Sequence, residues 1–201
     1  MCEYDIAQHA VNEKRDIIVV GTAMGGLSAV CKLVGGLPSN FEATLLVAFD
    51  SCSQPADSVL QILRHYSRAD VNYAHDGMLI RPGRVILTPQ GQCMRLSKPG
   101  VIQIEPRSGN QVDLLFETAA RVYGSRVIGV VLTGGSHDGT TGLSAIEAAG
   151  GVGVVQDPDE ALDGAMPLSA IYGDDPDYCV GLAEMPALLV QLAAGKTPAT
   201  E

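Results

Sequence analysis

The chain has 201 residues, of which 46% are hydrophobic and 18% charged, with 23 glycines and a formal net charge of −10. That is enough apolar material for one sizeable α/β core and too much for a disordered chain. The acidic balance offers no basic stripe to nucleic-acid phosphates, and no apolar run reaches the roughly 18 residues of a membrane span.

Cys2, Cys31, Cys52, Cys93 and Cys179 are scattered without a C-x-x-C pair, so they read as reduced thiols of a cytoplasmic protein. His9, His65, His75 and His137 show no metal-ligand spacing, and neither a metal nor a cofactor is expected.

Residues 1–15 carry charge throughout and read as a flexible arm, not a signal peptide. Residues 16–195 read as one domain and 196–201 as a tail. Strands are predicted at Ile17–Val20, Ala43–Phe49, Arg126–Leu132 and Val152–Val155, each nearly all apolar, as in a parallel sheet covered on both faces. Between and after them the helical period predicts Gly25–Val34, Ala56–Ser67, Val112–Tyr123, Gly139–Ala149 and Met185–Leu192. The alternation specifies a doubly wound, mostly parallel α/β sheet with helices on both faces. The middle differs. Asp76-Gly77, Pro82-Gly83, Gln90-Gly91 and Pro99-Gly100 punctuate short extended pieces, which predicts β-hairpins added at one edge of the sheet.

Ligands of open α/β sheets sit at the carboxyl ends of the strands, so the turns there carry the candidate sites. "GTAMGG" (21–26) lacks both the dinucleotide G-x-G-x-x-G and the P-loop G-K-[ST]. It is either a plain strand-to-helix turn or an anion site at a helix start. "FDSCSQ" (49–54) offers Ser51 and Cys52, and nothing in the pattern marks either as activated. "LTGGSHDGTTG" (132–142) is richer. Asp138 could cap the helix that follows it, or orient a histidine as the acid of a hydrolytic triad, with His137 beside it. "QDPDEALDGAMP" (156–167) reads as an acidic, solvated loop holding two caps.

Taken together, these blocks resemble the catalytic domain of the CheB family, the chemoreceptor glutamate methylesterases. The resemblance runs over about residues 16–193. It rests on Gly21–Gly26 against G-A-S-T-G-G, Tyr73–Gly77 with Arg81–Pro89 against the family's hairpin region, and "QVDLLFETAA" (111–120) against S-V-D-V-L-F-R-S-A-A. Gly129–Leu143 and Val155–Ile171 supply two further blocks.

The resemblance also implies which residues have changed. Ala23 stands at the nucleophilic serine, Met24 at the following threonine, Phe49 at the base histidine, and Cys93 at a second histidine. Asp138 stands at the surviving acid, and Gly134 and Gly135 lie in the loop that contributes to the oxyanion hole. Ester hydrolysis by this route needs an attacking oxygen and a proton acceptor, and a methyl and a phenyl supply neither. The expected function is therefore a catalytically silent domain that binds chemoreceptor cytoplasmic domains or other chemosensory signalling proteins. Nucleic-acid binding and membrane insertion are not expected. One alternative is an active ester hydrolase with a relocated nucleophile, drawn from Ser51, Cys52 or Ser136 with His137. Another is a small-ligand sensor using the vacated pocket. The family also implies a receiver domain ahead of the catalytic one. With about 15 residues before the first strand, phosphorylation gating within this polypeptide is not expected.

Overall fold

The strand β1 (Ile17–Thr22) reads IIVVGT, and all six of its residues are buried. A strand so uniformly apolar has to be covered on both faces, and it is. The computed structural model describes residues 14–50 and 54–196. The arm expected at the N-terminus lies, up to residue 13, outside the described residues, as does the tail beyond Lys196.

After β1 come α1 (Gly26–Gly36), β2 (Thr44–Phe49), α2 (Ala56–Tyr66), β3 (Asp70–Tyr73) and β4 (Arg84–Leu87). A hairpin follows, β5 (Gln92–Lys98) and β6 (Val101–Pro106). The chain continues through α3 (Gln111–Tyr123), β7 (Val127–Val131), α4 (Thr140–Ala148), β8 (Val152–Gln156), α5 (Ala165–Gly173), β9 (Tyr178–Val180) and α6 (Met185–Ala193). Seven strands form one sheet in the order β3-β4-β2-β1-β7-β8-β9, with every neighbouring pair parallel.

Successive strand residues point to opposite faces, and that period divides the core in two. Ile18, Val20, Leu45, Val47, Ile128 and Val130 face the layer of α1, α2 and α6. Ile17, Val19, Leu46, Ala48, Val127 and Val131 face the layer of α3, α4, α5 and the hairpin. The chain leaves β1 through α1 toward one edge and leaves β7 through α4 toward the other. The carboxyl ends of β1 and β7 therefore flank the switch point where such sheets open a crevice.

The expected edge hairpins need correction. Residues 70–73 and 84–87 are parallel strands of the main sheet, with β4 inserted between β2 and β3 in the register Val71↔Val85 and Leu46↔Ile86. The Asp76-Gly77 and Pro82-Gly83 turns lie within a parallel crossover, where a turn dipeptide carries no information on strand direction. Among the described residues β5 and β6 pair as the one two-stranded hairpin, a separate sheet, and Leu79 bridges antiparallel to Val101 at its edge. That sheet lies on α3. The Leu96 N–H donates to Thr118 Oγ1 at 3.1 Å, and the Gly100 N–H donates to Tyr123 Oη at 2.6 Å. The helix α5 and edge strand β9 were not expected from the sequence.

The starts of α3 and α4 meet on the hairpin side of the sheet. Asp138 Oδ2 accepts the Val112 N–H at 3.0 Å, and its Oδ1 accepts the Asp113 N–H at 2.9 Å. In return, Asp113 Oδ1 accepts the N–H groups of Gly139 at 3.0 Å and Gly142 at 2.8 Å. Each helix is thus capped by the carboxylate that leads the other. The expectation that Asp138 caps α4 is corrected: the N-cap of α4 is Gly139 at φ 106°, and Asp138, one residue earlier, reaches across to α3. The approach is close because position 142 carries no side chain. A Cβ there would stand 2.4 Å from Phe116 Cβ. Burial pushes the Asp138 carboxyl above the ordinary aspartate range, and the two N–H bonds pull it part of the way back.

At the far end of α4, Glu147 Oε1 accepts the Asp177 N–H at 3.3 Å, and Asp177 Oδ2 accepts the Gly153 N–H at 2.9 Å. Burial first, then the neighbouring Asp174 and Asp177 carboxylates, push Glu147 from 4.5 up to about 7.

Two outcomes are expected. Asp113→Ala and Asp138→Ala each lose two buried charge-assisted bonds, so urea unfolding is expected to show a loss of about 2–4 kcal/mol for either. The double variant is expected to lose less than the sum, because both changes open the same helix junction. Glu147, with its folded value raised, contributes stability that is full below about pH 4.5 and lost as pH rises to about 7. Glu147→Gln cannot ionise and removes that loss. Solvent screening at this half-buried site holds the gain to the order of 1 kcal/mol, or a thermal midpoint about 2–4 °C above the unsubstituted chain at pH 8 and equal to it at pH 4.5.

Candidate functional site

Three loops converge at the carboxyl ends of β1, β7 and β8, and Thr133 ties them together. Its N–H donates to Gln156 Oε1 at 2.9 Å. Its carbonyl accepts the Ala23 N–H at 3.0 Å and the Thr22 hydroxyl at 2.8 Å. Its own hydroxyl donates to the Met24 carbonyl at 3.0 Å and accepts the Asp163 N–H at 2.9 Å. Thr133 and Gln156 are both buried, as are Thr22 and Ala23. Sequence reasoning quoted both residues and assigned neither a role.

Ala23, at the tip of the β1 turn, is 6% exposed and belongs to the core layer of α3, α4 and α5. It lies against Gly134, where any Cβ would collide with Met166 Sδ and stand 2.8 Å from the Ala23 methyl. Met24, the next residue, is 59% exposed. Phe49 ends β2 and packs with the opposite layer, that of α1 and α2. Its carbonyl accepts the Gln111 Nε2–H, and the next residue, Asp50, is paired with Arg107 at 2.5 Å. A polar notch of about 140 Å³ lies here, lined by Phe49, Asp50, Thr88, Arg107 and Gln111 among others. Cys93 is fully buried on β5.

The Gly134–Gly135 loop is committed elsewhere. The Gly134 N–H donates to the Asp163 carbonyl at 2.9 Å, and its own carbonyl accepts the Met166 N–H at 2.8 Å. Gly135 is exposed, and a Cβ on it would stand 2.7 Å from Asp163 Oδ2. A carboxylate at that point opposes any negative charge developing beside the Gly135 amide. The 156–167 loop does hold the two expected local caps, with Asp157 Oδ1 accepting the Asp159 N–H and Asp163 Oδ1 accepting the Ala165 N–H. It is more than a solvated face, since its Asp163 backbone returns to Thr133 and Gly134.

The remaining candidates separate. Ser136 is half-buried and its hydroxyl oxygen accepts the Asp138 N–H at 3.3 Å. His137 is exposed. Ser51 and Cys52 lie outside the described residues. Among the described residues, no cluster of His, Cys, Asp or Glu is placed to hold a metal ion, and no helix is long and apolar enough to cross a membrane. A second, larger cleft of about 870 Å³ opens from Ala23 and Met24 and runs between α1 and α2.

Known proteins resemble this chain in sequence and fold. The family model for CheB methylesterase matches residues 18–189. A protein-glutamate methylesterase/protein-glutamine glutaminase of Myxococcus xanthus is 36% identical over 161 residues, covering 76% of this chain and 46% of that protein. This chain thus spans about half the length of that relative. A putative protein-glutamate methylesterase/protein-glutamine glutaminase of Leptospira interrogans is 31% identical over 182 residues, covering 88% of this chain and 94% of that protein. The crystal structure of the Thermotoga maritima CheB methylesterase catalytic domain matches with a TM-score of 0.80 at 27% identity, covering 90% of this chain and all of that one. With the sheet order, the separate hairpin and the loop cluster already in place, the chain belongs to the CheB methylesterase family.

Proposed function

We propose that this CheB-family domain serves a chemosensory system as a binding module for chemoreceptor cytoplasmic domains or their signalling partners, and that it does not hydrolyse esters. One observation carries the reading: the buried side chain at the tip of the β1 turn is the Ala23 methyl, which has no atom to attack a carbonyl. In this reading Ala23, Phe49 and Asp138 occupy the places of a nucleophile, its base and the orienting acid. The surroundings support it. Both Asp138 oxygens are occupied by backbone N–H groups of α3, Phe49 accepts no proton, and the amide of Gly134 is already paired. In an unrelated serine protease, the loss of serine or histidine alone lowers turnover about 10⁶-fold, so the loss of both leaves only binding.

Methanol release from a methylated receptor fragment tests the catalytic half, and the expected rate is that of buffer alone. Ala23→Ser is expected to add nothing, since no base stands at position 49. Turnover abolished by Ser51→Ala, Cys52→Ala, Ser136→Ala or His137→Ala would instead establish a relocated hydrolase. Capture of receptor cytoplasmic fragments by the immobilised chain tests the binding half, and failure to capture any would sink it.

A further inference from the structure

The helix α5 reads AMPLSAIYG and carries no charged side chain. Met166, Pro167 and Ala170 are buried beneath it, and its one serine, Ser169, has its Oγ 2.9 Å from Thr140 Oγ1 on α4. What remains is a solvent-facing ridge of Ala165, Leu168 and Tyr172, with Leu168 and Tyr172 left 40% and 85% exposed. A single exposed leucine is ordinary, but a helix apolar on every side belongs in an interior. The helix α6 makes the contrast: it too lacks charge, and the side chains it leaves exposed are Ala187 and Gln191. The ridge does not look onto the β1 turn, because Met166, on the buried side of α5, is the residue that packs toward Gly134 and Ala23.

The charge around this ridge decides what can cover it. Residues 127–195 hold ten Asp and Glu and no Lys or Arg, while the other thirteen carboxylates of the chain equal its thirteen Lys and Arg. The whole net charge of −10 therefore resides in the stretch that builds α5 and the elements it chiefly packs on, α4, β7 and β8. A Cβ on Gly164, the N-cap of α5, would stand 3.0 Å from the Pro158 carbonyl, so the acidic 157–163 loop is folded against that end. At the other end Asp174 is the C-cap, Asp175 follows it, and Glu147 bonds to Asp174 and accepts the Asp177 N–H. Among the described residues none of these carboxylates is in an ion pair. From outside the stretch, Arg15 comes near Tyr178 on β9. A second copy of the chain would set like charge against like. Residues 1–13 and 197–201, with four carboxylates and no Lys or Arg between them, would do the same. The complementary occupant is cationic.

We propose that the outer face of α5 docks a cationic amphipathic helix of a partner protein. The apolar stripe of that helix lies along Ala165, Leu168 and Tyr172, and Lys or Arg at both its ends face the acidic segments that flank α5. The nine residues of α5 make about 13 Å of rod, so the partner uses about two to three turns. The proposal rests on the binding-module reading and adds to it a face and the chemistry of the partner.

The test uses a labelled helical peptide of about five turns, with a leucine stripe at i, i+3, i+4, i+7 spacing and lysines in its first and last turns, and a second peptide with every lysine replaced by glutamate. Fluorescence anisotropy is expected to show the lysine peptide binding at least ~10-fold more tightly than the glutamate peptide, and more weakly as salt rises. Leu168→Ala with Tyr172→Ala is expected to weaken binding at least ~10-fold. Asp159→Lys with Asp175→Lys is expected to reverse the preference between peptides. Asp159 and Asp175 are exposed, and an unchanged thermal midpoint confirms that each variant folds. Equal binding of both peptides, or binding unaffected by Leu168→Ala with Tyr172→Ala, would overturn the proposal. So would a dimer of the chain that dissociates in that variant, because the face would then belong to self-association. Receptor capture that persists in the same variant overturns this face as the docking site and leaves the binding-module reading standing. Peptide binding that follows the expected pattern without receptor capture supports the face and removes the receptor.

Discussion

Helix N-termini present backbone donors with no intrahelical partner, and burying them unpaired costs about 1–3 kcal/mol each. In this protein two such termini, those of α3 and α4, are driven into the same buried corner. The exchange of carboxylates between Asp113 and Asp138 is what makes that burial tolerable. Much else depends on it. The corner fixes α3, on which the β5–β6 hairpin rests through Thr118 and Tyr123, and it fixes the end of the loop that carries Gly134 and Gly135. Gly142 permits the approach, and Phe116 fills the space beneath.

The same exchange bears on why an acid remains where the rest of the proposed catalytic set is gone. An aspartate whose only task was to orient a histidine would have no role opposite Phe49. Asp138 holds two α3 amides regardless of what stands at position 49, so its place in the fold is independent of any chemistry nearby. In the proposed reading, the side chains that served only reaction have been exchanged, and the one that also serves architecture has stayed.

How much of this was readable in advance depends on how local the determinant is. The runs at Ile17–Val20, Ala43–Phe49, Arg126–Leu132 and Val152–Val155 declared the central strands because each is apolar on both faces, and all four match observed strands to within two residues at either end. The strands β3 (DVNY) and β9 (YCV) are short and half-exposed, and carry no such signal. The direction of β4 was hidden because its pairing with β2 and β3 is set by a crossover, while Pro82-Gly83 is as frequent in hairpins. The helix α5 begins at Ala165 within what read as an acidic loop, with Pro167 close behind. The blocks shared with the CheB family placed Ala23, Phe49 and Asp138 near one pole of the sheet. They did not indicate that Asp138 would turn to α3, a contact across 26 residues, or that Met24 would face solvent. Thr133 escaped notice because its role rests on backbone atoms of loops far apart in sequence.

That last residue has a wider implication. The hydrogen bonds that join the loops at the carboxyl pole run through Thr133, through main-chain groups and through Gln156, and the side chains of Ala23, Met24 and Phe49 have no polar atom to add to them. That hydrogen-bond network does not depend on a reactive group at any of the three positions. A domain assembled in this way can shed or change its reactive equipment one position at a time and still present an intact surface to whatever docks beside it.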